Sequence, residues 1–178
     1  MKETVEQYVA RIQGLVGSTD PLTIIDATPS KLADAVKGLP DAALDYKPAP
    51  GKWNVRQIVA HLADTEAVMS TRFHWAAAEP GKTITGFDQE RWADTGKYDR
   101  VPLELSLATF TAIRRWTLDF LRRLSSQERE AAFIQHEERG KESLQRLLVM
   151  IAGHDLNHLK QIAELSRASE QTNRARHV

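Results

Sequence analysis

Within His154-Asp155-Leu156-Asn157-His158, two imidazoles stand four residues apart in a segment of helical period. Leu144, Leu147, Ile151, Ile162 and Leu165 mark out an apolar stripe at steps of three and four. His154 and His158 fall on that stripe where Leu or Ile would be expected. Side chains four apart on a helix lie roughly 5–6 Å from each other at Cβ, so both rings can converge on one point. Neutral imidazole is a common ligand for zinc, nickel and iron, and two of them directed into a core suggest a buried metal. Two ligands do not complete a site, because catalytic zinc takes three protein ligands and keeps a position open.

The third ligand must come from elsewhere in the chain. His177 belongs to the charged C-terminal stretch and His136 to a connector beside two glutamates, so both read as solvated surface residues. His74, near a helix end, reads as structural. His61 lies well inside a second long helix, at the edge of its apolar face, where it can aim into a groove between helices or simply donate to a neighbouring one.

The chain has 178 residues, 42% of them apolar and 27% charged, which suits one soluble domain spanning 1–178. Lys plus Arg equals Asp plus Glu at 24 each, so no basic field exists to gather nucleic acid. There is no cysteine, which excludes disulfides and thiolate catalysis, and leaves a metal only nitrogen and oxygen ligands. The N-terminal residues lack an apolar signal core and no run is apolar enough to span a membrane, so no membrane association is expected and the cytoplasm is the expected compartment.

Four long amphipathic helices are predicted. Val5, Tyr8, Ile12 and Leu15 give the first, within residues 1–20. A short helical piece carries Leu22 to Ile25, and Thr28-Pro29-Ser30 looks like a cap with proline opening another helix to Val36. Asn54 caps the second long helix, the third runs from about Pro102 to Leu124, and Ser143 caps the fourth, which fades into a flexible tail over 167–178. No strand alternation is evident. The irregular stretch from Lys82 to Val101 contains Phe87, Trp92 and Tyr98 and suits a lid or binding loop, with Trp92 and Tyr98 as a pocket wall or as anchors to the core. The fold expected is all-α, a four-helix bundle whose long connections make simple up-down-up-down order doubtful.

Trp53-Asn54-Val55-Arg56-Gln57-Ile58-Val59-Ala60-His61-Leu62-Ala63-Asp64-Thr65-Glu66 resembles the second-helix signature of the DinB-like metalloprotein superfamily. The segment from His136 to Leu144, followed by His154 to Ile162, resembles that family's fourth-helix signature, and the resemblance runs from about Ile24 to about Leu165. It implies an up-down-down-up bundle and a divalent metal, zinc or nickel first and iron or manganese next, held by His61, His154 and His158. It also implies homodimers, and reactions that include transfer of low-molecular-weight thiols such as bacillithiol, mycothiol or glutathione.

Three neutral imidazoles leave a metal its full charge and an open position, able to ionise bound water or an incoming thiol. The expected function is therefore a metal-dependent enzyme acting on a small-molecule substrate, transferase-like or hydrolase-like, with a non-catalytic metal-binding or stress-response protein as the alternative. A packed, metal-free bundle is the remaining reading. Asp64 and Asp155 are candidates to orient the rings, though both could face solvent. Glu66, near the centre of its helix's apolar stripe, is expected to pair with an inward Arg114, with general acid–base work by Glu66 as the second reading.

Overall fold

The computed structural model describes residues 3–175. Eight α-helices occur among them: α1 (Val5–Val16), α2 (Pro21–Val36), α3 (Asp41–Leu44), α4 (Val55–Ala78), α5 (Gln89–Thr95), α6 (Leu103–Arg122), α7 (Ser126–Ala131) and α8 (Leu144–Ala175). Three short strands, β1 (Thr83–Ile84), β2 (Phe133–His136) and β3 (Gly140–Ser143), complete the regular structure with a 3-10 turn at Tyr98–Arg100.

The bundle is built from α2, α4, α6 and α8, and its helix directions follow from two apolar clusters. One joins Ile24 and Ile25, from the start of α2, to Met69 and Phe73 of α4, Leu118 and Leu121 of α6, and Leu144 to Ala152 of α8. The other joins Leu32 and Val36, from the end of α2, to Val55 through Leu62, Leu103 and Phe110, and Ile162 and Leu165. Thus α2 and α8 run one way while α4 and α6 run the other, giving the up-down-down-up order. The neighbours α4 and α6 are parallel, so the chain between them must return the full length of a 24-residue helix, about 36 Å at 1.5 Å per residue. That requirement accounts for the long segment between them.

This crossover is more ordered than the sequence suggests. It contains β1, α5 and the 3-10 turn, and it is pinned at two points along α4 and at Trp53 just before that helix. Arg72 Nη2 donates to the Thr85 carbonyl at 2.8 Å, the Tyr98 hydroxyl donates to Asp64, and Trp53 Nε1 donates to Glu90 at 3.1 Å. Tyr98 is buried and Trp92 remains partly exposed against Phe87. The strands were not legible either. β1 pairs in parallel with β2, and β2 pairs antiparallel with β3 in register His136↔Gly140. Two- and four-residue strands are too short to show a period.

Several helix termini behave as their sequences dictate. Asn54 and Gln57 form a reciprocal capping box on α4, and Ser143 Oγ accepts from Arg146 N at the start of α8. The reading of Thr28-Pro29 as a helix start is corrected: α2 is one continuous helix begun by Asp20 and Pro21, with Pro29 inside it. Proline removes the N–H that would bond the carbonyl four residues earlier, that of Ile25. Arg114 Nη1 donates to that carbonyl instead, at 2.9 Å, so a partner from α6 fills the gap in α2. The bundle's first member is consequently α2, while α1 packs along α8. Its approach is close: a Cβ on Gly153 would lie 2.1 Å from the Ile12 carbonyl oxygen. Residues 167–175, expected as a flexible tail, continue α8 as helix, and 176–178 with His177 lie outside the described residues.

Candidate metal centre and its cleft

His61 stands two turns into α4, and His154 and His158 stand one turn apart on α8, which packs against it. The structure brings all three together. The Nε2 of His154 lies 3.1 Å from that of His61 and 3.1 Å from that of His158. His61 and His158 are buried, and His154 keeps part of its surface exposed although its Nδ1 is buried. Trp53 packs on the His61 ring at 4.9 Å between centroids.

Burial decides the protonation of the trio. His61 is pushed down to about 3 by desolvation, then by the His158 charge. His154 falls well below the ordinary imidazole value, through desolvation first and then the neighbouring His158, His61 and Arg114. Desolvation also lowers His158, against the opposing pull of Gln161 and Asp155. All three rings are therefore neutral at pH 7. The His158 Nδ1 faces Gln161 Oε1 at 3.0 Å, so it carries the proton and leaves the Nε2 lone pair turned to the shared point.

These donors fit a metal ion. A tetrahedral centre with bonds of about 2.0–2.1 Å places its nitrogens about 3.4 Å apart, and an octahedral face about 2.9 Å. The observed 3.1 Å lies between these values. The arrangement is poorly satisfied by hydrogen bonds alone, since His154 Nδ1 is buried without a partner and His158 Nε2 has no proton to give. Among the described residues these three histidines form the one His, Cys, Asp or Glu group compact enough to hold an ion.

The expected ring-orienting acids are elsewhere. Asp155, one residue from His154, is fully buried and binds Arg114 Nη1 at 2.6 Å, while Asp64 accepts from Tyr98. Glu66 pairs with Arg114 Nη2 at 2.7 Å, as the apolar-stripe argument required, and its other oxygen has no partner. Desolvation raises the Glu66 carboxyl, and Arg114 counters that. The group is thus a buried Glu66–Arg114–Asp155 triad between the two apolar clusters, and Glu66 does not line the cleft.

A cavity of about 810 Å³ opens on His61 and His154. α1 closes one side through Tyr8 and Arg11, the β2–β3 hairpin another through His136 and Arg139, and Phe87 of the crossover a third. His136 is not a solvated connector residue. It is 1% exposed, its Nδ1 accepts from Glu138 N at 3.2 Å, and burial, then Arg139, lower its pKa. His74, read as structural, bonds the Ser70 carbonyl at 2.7 Å and stacks on Phe120. Gln161 and Arg72 at this site were not singled out from the sequence, and His136 was expected on the surface; only Gln161, three residues after His158, has a local signal in its helical spacing.

The sequence model of the DinB superfamily matches residues 24–162, most of the chain. The chain belongs to the DinB superfamily. Among its relatives, an Oceanobacillus iheyensis protein that carries a metal-dependent hydrolase name is 31% identical to it over 146 residues, covering 82% of this chain and 84% of that one. YfiT of Bacillus subtilis, which carries the same kind of name, is 30% identical over 147 residues and 82% of each chain. The solved structure of YfiT, described as a four-helix bundle of unusual topology, matches with a TM-score of 0.77 at 26% identity over 94% of this chain and 90% of that one. In this DinB member the up-down-down-up order places a histidine of α4 opposite the pair on α8.

Proposed function

We propose that this DinB protein is a metal-dependent enzyme acting on a small molecule, with one divalent ion held by His61, His154 and His158. The observation that carries the proposal is the convergence of three neutral imidazoles, with the His154 Nε2 3.1 Å from each of the other two, beside a cavity of about 810 Å³ that opens on His61 and His154. Relatives that carry metal-dependent hydrolase names support it. Zinc or nickel suits an all-nitrogen donor set best, with iron or manganese as further candidates. Bound there, the ion would supply Lewis acidity to an oxygen or sulfur nucleophile, either water or an external low-molecular-weight thiol. The chain's own part is to hold the rings neutral by burial, to orient His158 through Gln161, and to exclude water with Trp53 and α1. The chain has no cysteine, so any thiol chemistry would act on an external thiol.

Metal analysis of untagged protein tests the ligand set. His154→Ala and His158→Ala should each lose stoichiometric metal while keeping the helical circular dichroism of the wild type. Full occupancy in both variants would refute the assignment, and normal affinity in His61→Ala would move the third ligand elsewhere. Comparing water with thiols as nucleophiles, on an ester and on a chloronitrobenzene, then separates hydrolase from transferase; turnover of neither leaves the non-catalytic metal-binding alternative. A homodimer is the assembly proposed, supported by the exposed Leu105 and Trp116 on α6 and checked by analytical ultracentrifugation. No helix among the described residues is long and apolar enough to cross a membrane.

A further inference from the structure

The α4 stripe that carries His61 continues through Thr65 and Met69 to Arg72, and all four residues line the cleft. Arg72 is only 7% exposed, yet no carboxylate lies within ion-pair distance of it among the described residues. The nearest buried acid, Glu142, is already engaged by both Arg139 donors, at 2.9 and 2.8 Å, and approached by Arg146. The one hydrogen bond of Arg72 runs from Nη2 to the Thr85 carbonyl. Its like-charged neighbour Arg139 adds repulsion, second to burial, against its charged form. A largely buried cation on a cleft wall without a carboxylate partner is costly unless a ligand supplies the counter-charge.

The rest of the cleft has the same sign. Arg11, Lys52, Arg72 and Arg139 line it against Glu3 and Glu138; Arg11 is paired with Glu3 and Arg139 with Glu142, which leaves Lys52 and Arg72 against Glu138. His136 adds a donor: its Nδ1 accepts from Glu138, so the proton is on Nε2, which has no acceptor. Resting on the reading of the three histidines as the reaction centre, we propose that Arg72 is a substrate-binding residue that takes a carboxylate of the small-molecule substrate. Arg72 follows His61 by eleven residues, about 16 Å of helix rise. Helical side chains lean towards the helix N-terminus at both positions, so the lean of Arg72 is offset in part by that of His61 and the span stays above roughly 10 Å. The substrate class is therefore an elongated carboxylate whose anionic end lies about 10 Å or more from the reacting atom. The five donors of a guanidinium and its planar fork suit that ligand.

Titration calorimetry with suberate and its uncharged dimethyl ester tests this on metal-stripped protein, so the outcome does not depend on the metal reading; metal content is measured separately on the same preparations. Wild type should bind suberate at least about tenfold more tightly than the ester, Arg72→Met should erase that preference, and Arg72→Lys should keep part of it. Arg72→Met also loses the Thr85 contact that pins the crossover, so its helical circular dichroism is checked against wild type, and Arg72→Gln, which keeps an N–H donor there, carries the same expectation. A purely structural arginine would leave the suberate preference intact in either folded variant. Equal affinities for the two probes in wild type, or a preference that survives in Arg72→Met, would each overturn the inference.

Discussion

Replacing Arg114 by leucine removes the centre of the buried triad and exposes what holds the middle of the bundle together. The guanidinium is fully buried, and its donors reach Asp155 at 2.6 and 3.3 Å, Glu66 at 2.7 Å and the Ile25 carbonyl at 2.9 Å. Leucine fills much of the volume but leaves two carboxylates, both at most 1% exposed, without a counter-charge. Breaking a buried pair in this way costs about 3–5 kcal/mol, a large part of the roughly 5–15 kcal/mol that holds a domain folded. For a chain of this size that corresponds to a Tm lower by about 6–20 °C. The assay is urea unfolding of metal-stripped protein, with wild type and variant compared at pH 5 and pH 7. In the variant the Glu66 carboxyl, raised by burial, loses the Arg114 charge that counters that rise, so the stability it retains is present in acid and is lost as pH rises. The deficit relative to wild type should then be larger at pH 7 than at pH 5, and the difference removes most of the histidine contribution common to both proteins. A loss below about 1 kcal/mol, or a deficit independent of pH, would refute the reasoning, since it would mean the carboxylates reach water or another cation.

Gly153→Ala places a methyl 2.1 Å from the Ile12 carbonyl, so α1 must withdraw from α8. Overpacking of this kind costs about 1–3 kcal/mol, read as a Tm lower by about 2–12 °C in differential scanning calorimetry, and an unchanged Tm would show that α1 is not seated there. Metal-stripped wild type should lose stability progressively as pH falls from about 6.5 towards 3. In that window the unfolded chain protonates histidines that the folded one keeps neutral, His61 down to about 3, and a flat urea midpoint across pH 6.5–4.5 would contradict the buried, neutral trio. Metal affinity should weaken over the same range, because protons compete for the same lone pairs.

The local sequence determined the long helices α4, α6 and α8, the Asn54 and Ser143 caps and the family. The apolar spacing of α4, α6 and α8, the Asn54–Gln57 capping box and the one-turn separation of His154 and His158 are all short-range features, fixed by helix geometry at 1.5 Å and 100° per residue. The Glu66–Arg114 pairing was also legible, because two charges on inward stripes must meet or pay heavily for isolation. Tertiary structure alone decided which residues surround them. Asp155 turned to Arg114 and not to a histidine, Pro29 stayed inside a helix because Arg114 satisfied the carbonyl it left free, and His136 was buried by strand pairing too short to leave a period. Arg72 shows the same division. Its type and helix are plain in the sequence, but only the packing of the crossover and hairpin around it reveals a buried cation that meets a carbonyl and no carboxylate among the described residues, because pairing depends on groups far along the chain and not on its neighbours.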